Sequence, residues 1–275
     1  MTELPVPWAP QAVPDTIPAG PKWTGPDDPA PGSEYFEQPA YSPREVAIHA
    51  AGALLNAGAC VVVAVELARS GGTPSTRVLP ATAGLLVGGY AADVVSGVLH
   101  WAFDTWFDEN TPVVRRVVLI VREHHIYPQR IFNHPLAQDI GIMSWFGLAG
   151  VAPTLLMRRS RGAPAYFARV AGLSFAVLLT LSLEFHKIGH RTETPRAISA
   201  LQDAGLLLSA KHHLKHHARE HDSHYCLVNG VGDRTLGRLG LFRLLERVVH
   251  RSSGLSPRTN DRLWRRRFGR WVSRW

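Results

Sequence analysis

The sequence predicts an all-α integral membrane protein with about four transmembrane helices and a histidine-rich cap at their cytoplasmic ends. Two patterns carry this prediction: four long apolar runs, and twelve of the 14 histidines placed near the ends of those runs or in their connecting segments. The 275 residues are 45% hydrophobic and 19% charged, with a net charge of +8. Soluble domains contain roughly a quarter of charged residues, so we expect the basic surface to face membrane lipids and not nucleic acid.

The chain divides into three predicted regions. Residues 1–43 hold 11 of the 20 prolines and lack apolar periodicity, which predicts a disordered tail. Residues 44–250 form the expected membrane domain, and 251–275 a basic aromatic tail. In that tail Trp264, Phe268, Trp271 and Trp275 recur at helical spacing between arginines, a pattern typical of a helix lying on an anionic bilayer. Residues 236–249 have a similar pattern of leucine and arginine. A helix packed on the protein is the alternative.

Four apolar runs approach or reach the length that crosses ~30 Å of hydrocarbon. They cover 46–67, 81–103, 140–157 and 166–185. A soluble bundle is the alternative, but its helices would show a polar face, which these runs mostly lack. The arginine-rich region after residue 186 places both termini in the cytoplasm by the positive-inside rule, although three arginines in 158–165 oppose it. Arginine provides 26 of the 30 cations, which favours a bacterial source and hence the inner membrane.

The spacing of the histidines predicts metal binding. His186 and His190 are four residues apart and share a helix face, and His213, His216 and His217 also project to one side of a helix. Two neutral imidazoles one turn apart form a chelating pair. A zinc site needs three or four ligands, so eight to ten imidazoles on one side of a membrane predict two metal ions.

Carboxylates near these histidines are candidates for supporting roles. Asp93, His100 and Asp104 lie on one stripe of the second run. An aspartate inside a span costs ~3 kcal/mol and needs a partner. We therefore expect Asp93 or Asp104 to accept a hydrogen bond from a ligand imidazole and to fix its tautomer. For Asp104 a solvated helix end is the alternative. The other carboxylates considered for this role are Glu184, Asp203 and Asp222.

The identity of the metal is not set by spacing, because imidazole suits iron, zinc and copper. Soluble di-iron bundles use ExxH pairs, and the sequence contains none. Several all-imidazole clusters beside a bilayer instead suggest a membrane di-iron oxygenase, which uses O2 to take hydrogen from an unactivated C–H bond.

Five stretches in order resemble one known family. They are "DVVSGVLHWAFDTW" (93–106), "REHHIYP" (122–128), "FHKIGH" (185–190), "LQDAGLLLSAKHHLKHH" (201–217) and "HDSHYCLVNG" (221–230). Over about residues 90–261 the chain resembles the plasmanylethanolamine desaturases, the Kua/CarF lipid desaturase family. The resemblance implies a di-iron, O2-dependent enzyme that desaturates the 1-O-alkyl chain of an ether phospholipid to the vinyl ether of a plasmalogen.

The resemblance also implies a ligand set for two iron ions. The matching histidines are His100, His124, His125, His186, His190, His213, His216 and His217. His134, His212 and His221 are possible ligands or supporting residues. This sequence departs from the family at Tyr127 and Pro135, beside His134, where the family usually has acids, and His224 matches no family position.

Alternative functions remain at this point. A different membrane di-iron hydroxylase or lipid desaturase shares the first hydrogen abstraction. A metal transporter would place His and Asp near mid-bilayer on several helices, and a basic membrane-bound regulator could use its histidines to store metal or sense pH. The sequence contains no dinucleotide-binding fingerprint. A desaturase of this type would therefore need an external electron carrier, such as a ferredoxin or a cytochrome, in addition to O2 and the ether phospholipid.

Overall fold

The computed structural model describes residues 40–107, 111, 114–126, 128–157, 160–191, 193–218, 221–255 and 257. Most of the predicted proline-rich and aromatic tails, and position 127, lie outside this part of the chain. Within it the fold is helical and contains no strand, so the predicted all-α class is confirmed.

Nine α-helices occur among the described residues. In chain order they are α1 (Pro43–Arg69), α2 (Pro74–Thr105), α3 (Arg115–Ile126), α4 (Leu136–Leu155), α5 (Ala163–Thr180), α6 (Ser182–Gly189), α7 (Arg196–Asp203), α8 (Ala210–Ala218) and α9 (Leu241–Ser253). A 3-10 helix covers Pro128–Asn133, and a short π-helical turn covers Asp233–Gly237.

Helix α1 begins at a complete capping box. The Ser42 hydroxyl accepts a hydrogen bond from the Glu45 backbone N–H at 3.2 Å, and the Glu45 carboxylate accepts one from the Ser42 N–H at 2.8 Å. Two N–H groups that the first helical turn leaves without intrahelical partners are thereby satisfied. Pro43 follows at the first helical position, where its missing N–H is not needed.

Three of the described helices are long and apolar enough to cross a membrane: α1, α2 from Thr76, and α5. Large apolar side chains on α1 and α2 point outwards, with Leu54, Leu79 and Leu86 74%, 76% and 69% exposed. Polar side chains on the same two helices, such as Asn56 and Asp93, are buried instead. This arrangement suits helices surrounded by lipid, where exposed hydrocarbon carries no penalty and polar groups must find partners inside the protein.

Helix α4 packs against both α1 and α5. Small buried side chains, among them Ala59, Val151 and Ala176, fill the space between these three helices. The Asn56 side-chain amide of α1 donates a hydrogen bond to the Thr180 hydroxyl of α5 at 3.0 Å. Small residues and a polar link between helices are the means by which apolar helices associate inside a bilayer.

Two of the predicted apolar runs differ from the helices observed. The 166–185 run is interrupted at Leu181, which separates α5 from the short helix α6. The Ser182 hydroxyl donates to the Leu179 carbonyl oxygen at 2.8 Å, a local side-chain bond of the kind that bends helices. The 140–157 run lies mostly in α4, which carries Gln138 and Asp139 in its first turn and is not among the three candidate spans. The fourth span therefore stays a prediction.

Helix α9 is amphipathic, as expected for residues 236–249. Phe242 is buried, and its ring lies 4.7 Å from the ring of Tyr225, centroid to centroid. Leu244 and Val248 are 50% and 53% exposed, and the exposed side chains of Arg247 and Arg251 lie near them along the helix. An exposed apolar stripe bordered by arginine suits the lipid interface that the sequence predicts for this segment.

The chain forms two compact units. The larger unit comprises Tyr41–His100 and His134–Phe242, and the smaller unit comprises the described residues among Met1–Ala40, Trp101–Asn133 and Arg243–Trp275. Two of the boundaries, after His100 and after Phe242, fall inside α2 and α9. The division into the three regions 1–43, 44–250 and 251–275 stays a prediction.

The close approach of α2 to α5 provides a test of this fold. Gly84 and Gly88 are one turn apart on α2. A Cβ atom on Gly84 would lie 2.9 Å from the Phe167 carbonyl oxygen, and a Cβ atom on Gly88 would overlap the Ala171 carbonyl. We expect Gly88→Leu to lower the free energy of unfolding by about 1–3 kcal/mol, because the helices must separate to admit the side chain. Thermal unfolding in detergent, followed by circular dichroism, measures the change.

Gly58→Leu on α1 is the matched control, since no neighbouring atom lies within 4 Å of a Cβ at that position. Equal melting temperatures for the two variants would contradict the packing described for α2 and α5.

Candidate metal centre

The larger unit contains a four-histidine cluster, formed by His186, His190, His213 and His217. The first two lie one turn apart at the end of α6, and the last two lie one turn apart on α8. Their Nε2 atoms follow each other at 3.2 Å (His186 to His190), 2.9 Å (His190 to His213) and 3.0 Å (His213 to His217). The helical spacing recognised in the sequence thus brings the two pairs to one point.

The donor atoms of this cluster fit a metal ion. All four lie within 4.8 Å of one another. Two nitrogen ligands at right angles on an ion with bonds of about 2.1 Å are about 3.0 Å apart, which matches the spacing of neighbouring nitrogens. Removal of the His190 ring from water lowers its pKa to about 3, and the nearby His100 adds to the effect. His190 is therefore neutral at physiological pH, the form in which imidazole binds metal.

A second pair, His100 and His216, lies beside the cluster. Their ring centroids are 4.6 Å apart and their candidate ligand atoms are within 4.8 Å of each other. His100 Nδ1 donates to the Tyr225 carbonyl oxygen at 3.0 Å, and His216 Nδ1 donates to the Ser223 carbonyl oxygen at 2.8 Å. A carbonyl oxygen only accepts hydrogen bonds. Each neutral ring must then carry its proton on Nδ1, which leaves the Nε2 lone pair for a metal.

The rings of the pair and the cluster form one continuous group. The His100 and His186 centroids are 5.3 Å apart, and those of His213 and His216 are 5.6 Å apart. Five of the six histidines are buried, and His190 is partly buried. The larger unit therefore offers six adjacent imidazoles, enough to supply ligands to two ions.

The smaller unit carries the other predicted ligands. His124 and His125 are consecutive on α3, with ring centroids 4.5 Å apart, and both are buried. The His125 Nε2 atom lies 3.7 Å from the carboxylate of Asp104, near the end of α2. Asp104 therefore lies beside a predicted ligand imidazole, at a distance longer than a direct hydrogen bond. The participation of His124 and His125 in a metal centre stays a prediction.

Asp93 has partners of a different kind from those the sequence suggested. It is fully buried in α2, and its Oδ1 accepts backbone N–H groups from Val228, Asn229 and Gly230 at 3.0, 2.9 and 3.1 Å. Its Oδ2 accepts the Gly232 N–H at 2.8 Å. The expectation that this carboxylate needs a partner is thus met by four main-chain amides and not by an imidazole.

The remaining candidates occupy supporting positions. His212 Nε2 donates to the Asp233 carboxylate at 3.0 Å, and the His221 ring lies 5.2 Å from that of His216. The Lys187 ammonium donates to the Glu184 carboxylate at 2.8 Å and to the His134 carbonyl oxygen at 2.6 Å. Asp203 is exposed at the end of α7, and Asp222 is half-buried.

Sequence reasoning missed two residues that organise the site. Asp233 binds His212 and accepts the backbone N–H groups of Tyr225 and Cys226 at 3.0 and 3.1 Å. Asp139 forms an ion pair at 2.5 Å with Lys187, a buried residue that directly follows His186 in the sequence. Neither carboxylate has helical spacing to a histidine, so the pattern that located the ligands could not have found them.

Comparison with known proteins shows the family to which the chain belongs. The lipid desaturase domain family matches residues 90–260. Fatty acid desaturase 4 of Arabidopsis thaliana, a chloroplast protein, is 34% identical over 74% of this chain and 62% of its own length. Plasmanylethanolamine desaturase of Myxococcus xanthus is 30% identical over 72% of each chain, and plasmanylethanolamine desaturase 1 of mouse is 28% identical over 66% of this chain and 69% of its own.

The chain thus spans under two thirds of the Arabidopsis relative. No solved structure matches this chain.

Substitution of a central imidazole tests the cluster. His213 Nε2 lies between those of His190 and His217, at 2.9 and 3.0 Å. We expect His213→Ala to lose at least half of the transition metal bound per chain, because a multidentate site is broken at its middle ligand. Mass spectrometry of the metals in the purified protein measures the content.

His250→Ala is the control, because His250 is exposed on α9 and bonded to the Leu255 carbonyl oxygen. Wild-type metal content in His213→Ala, or an equal loss in His250→Ala, would rule out the cluster as the binding site.

Proposed function

This chain belongs to the lipid desaturase family, and we propose that it is an oxidoreductase. It would convert plasmanylethanolamine, a 1-O-alkyl ether phospholipid, into the vinyl-ether plasmalogen. The convergence of six imidazoles in the larger unit is the observation that carries the proposal. Two relatives named plasmanylethanolamine desaturases, in organisms as distant as a bacterium and the mouse, support the choice of substrate.

The proposed ligand set is the one implied by the family resemblance. Its members are His100, His124, His125, His186, His190, His213, His216 and His217. Two iron ions bound there would supply the O2 activation that removes hydrogen from a saturated carbon chain. The protein's own contribution is to hold the rings neutral, to orient His100 and His216 through backbone carbonyls, and to exclude water by burying the ligands.

The balance of the reaction requires a reductant. The CH2–CH2 unit beside the ether oxygen loses two hydrogen atoms and becomes CH=CH. Those two hydrogen atoms, O2, two electrons and two protons give two molecules of water. We propose that the electrons arrive from an external carrier of the ferredoxin or cytochrome type. The exposed Arg234 is a candidate contact for an acidic carrier. Arg219 is a second candidate and lies outside the described residues.

The three membrane-spanning candidates make this a membrane protein. We propose the bacterial inner membrane, with both termini in the cytoplasm, from the distribution of arginine.

Lipid analysis of cells tests the proposed reaction. Cells that carry or lack the gene are supplied with an alkylglycerol, and their phospholipids are analysed by mass spectrometry before and after acid. We expect an acid-labile vinyl ether only in cells with the gene, restored in the deletion strain by the wild-type protein. His217→Ala should reduce the product at least 100-fold, because it removes a proposed metal ligand.

His250→Ala serves again as the control and should restore the product fully. Unchanged vinyl ether on deletion of the gene would reject the proposal. A new double bond in an acyl chain, with the ether lipids unaltered, would instead assign the type of activity named for the Arabidopsis relative.

A further inference from the structure

The segment after α8 is held in a conformation that needs external support. We call residues 221–232 the carbonyl segment, because it supplies the carbonyl oxygens that bind His216 and His100. Two of its non-glycine residues, His221 and His224, have left-handed backbone angles, with φ of 54° and 60°. Left-handed backbone is strained for residues other than glycine and persists where the surrounding structure fixes it.

Asp93 is the main support of this segment. One carboxylate, buried in a membrane-spanning helix, accepts four backbone N–H groups from residues 228–232 at 2.8–3.1 Å. Hydrogen bonds to an ionised acceptor are about twice as strong as those between neutral groups. The four donors also offset the cost of placing a carboxylate among apolar helices.

Two further side chains extend the attachment. The Ser96 hydroxyl, one turn from Asp93 on α2, accepts the Leu227 N–H at 3.0 Å. The carboxylate of Asp233 accepts the N–H groups of Tyr225 and Cys226. Consecutive amides from 225 to 230, together with that of 232, are therefore bound to side chains of α2 or of the turn that follows the segment.

Close packing leaves the segment little freedom to move. A Cβ on Gly97 of α2 would lie 2.6 Å from the Cys226 sulfur, and a Cβ on Gly232 would lie 2.8 Å from the same atom. Both contacts are shorter than real Cβ atoms make. Glycine at position 97 therefore lets the segment approach α2 this closely, and glycine at position 232 lets the segment pack against its own Cys226.

We infer that Asp93 is a positioning residue of the metal centre: by fixing the carbonyl segment on α2, it sets the carbonyls of Ser223 and Tyr225 that orient the His216 and His100 rings. The inference rests on the proposed function in one respect, namely that these two histidines bind iron. Without the carboxylate, the backbone N–H groups of residues 228–230 lose their acceptor. The carbonyl oxygens of Ser223 and Tyr225 are then no longer held at hydrogen-bonding distance from the His216 and His100 rings.

Asp93→Asn tests the inference. It keeps the size of the side chain, removes the charge, and replaces one carboxylate oxygen, an acceptor, by an amide NH2 group, a donor. The full-length variant is purified in detergent and loaded with ⁵⁷Fe(II). Iron per chain, the affinity for Fe(II) and the Mössbauer spectrum are compared with those of the wild type. We expect iron to bind about 10–100-fold more weakly, with altered quadrupole splitting, while circular dichroism retains the helical signal.

Two further variants separate positioning from general stability. Ser96→Ala removes a single support of the carbonyl segment, and we expect a smaller change in the same spectral direction. It also keeps the test available if Asp93→Asn does not fold. Ser42→Ala breaks the capping box of α1 and destabilises the protein without touching the segment, so its iron affinity and spectrum should match the wild type.

Two results would overturn the inference. The first is wild-type iron affinity and a wild-type spectrum in Asp93→Asn or, if that variant does not fold, in Ser96→Ala. The second is a loss of iron that follows thermal stability across all variants, Ser42→Ala included. Wild-type protein that takes up no iron would instead reject the proposed function, which distinguishes the two failures.

Discussion

Electrostatic repulsion between imidazoles is the constraint on which the larger unit depends. Two protonated rings with nitrogens about 3 Å apart would repel each other by about 5 kcal/mol at an effective dielectric constant of 20. The four-histidine cluster has neighbouring nitrogens at 2.9–3.2 Å, so its rings can remain together only when neutral or bound to a cation. Burial favours the neutral form, and the surrounding helices can be understood as the means of keeping water out while holding each ring in place.

Both short helices that carry the cluster are fixed by buried charges. On α6, the ammonium of Lys187 contacts the Asp139 carboxylate of α4, the Glu184 carboxylate and the His134 carbonyl oxygen. Beside α8, the Asp233 carboxylate binds both His212 and the carbonyl segment. Each buried charge therefore has several hydrogen-bonding partners, which is the condition under which such a group specifies a structure instead of weakening it.

The sequence predicts contacts between residues close together in the chain, but not most contacts between residues far apart in it. Helical spacing alone identified His186 with His190 and His213 with His217, because an i,i+4 pair meets wherever the helix lies. The approach of His100 to His216 joins residues far apart in the chain. Helical spacing predicts His216 as a ligand, whereas only the family resemblance suggests His100. For Asp93 the need for a partner followed from its burial in an apolar run, but the partners are main-chain amides, and amides have no signature in a sequence. The interruption at Leu181 was equally hidden, since no glycine or proline marks it.

The position of His100 along α2 supports the proposed substrate. The membrane-spanning candidate ends at Thr105, five residues beyond His100, which corresponds to about 8 Å of helix. His100 and the rings that contact it are thus near the end of a span and not at its middle. In an ether phospholipid the first two carbons of the alkyl chain lie next to the glycerol, at the boundary between headgroup and hydrocarbon. A metal centre at the end of a span can reach those carbons directly, whereas a double bond in the middle of an acyl chain would require the chain to bend back towards the surface. The depth of the site therefore favours chemistry at the carbons nearest the headgroup.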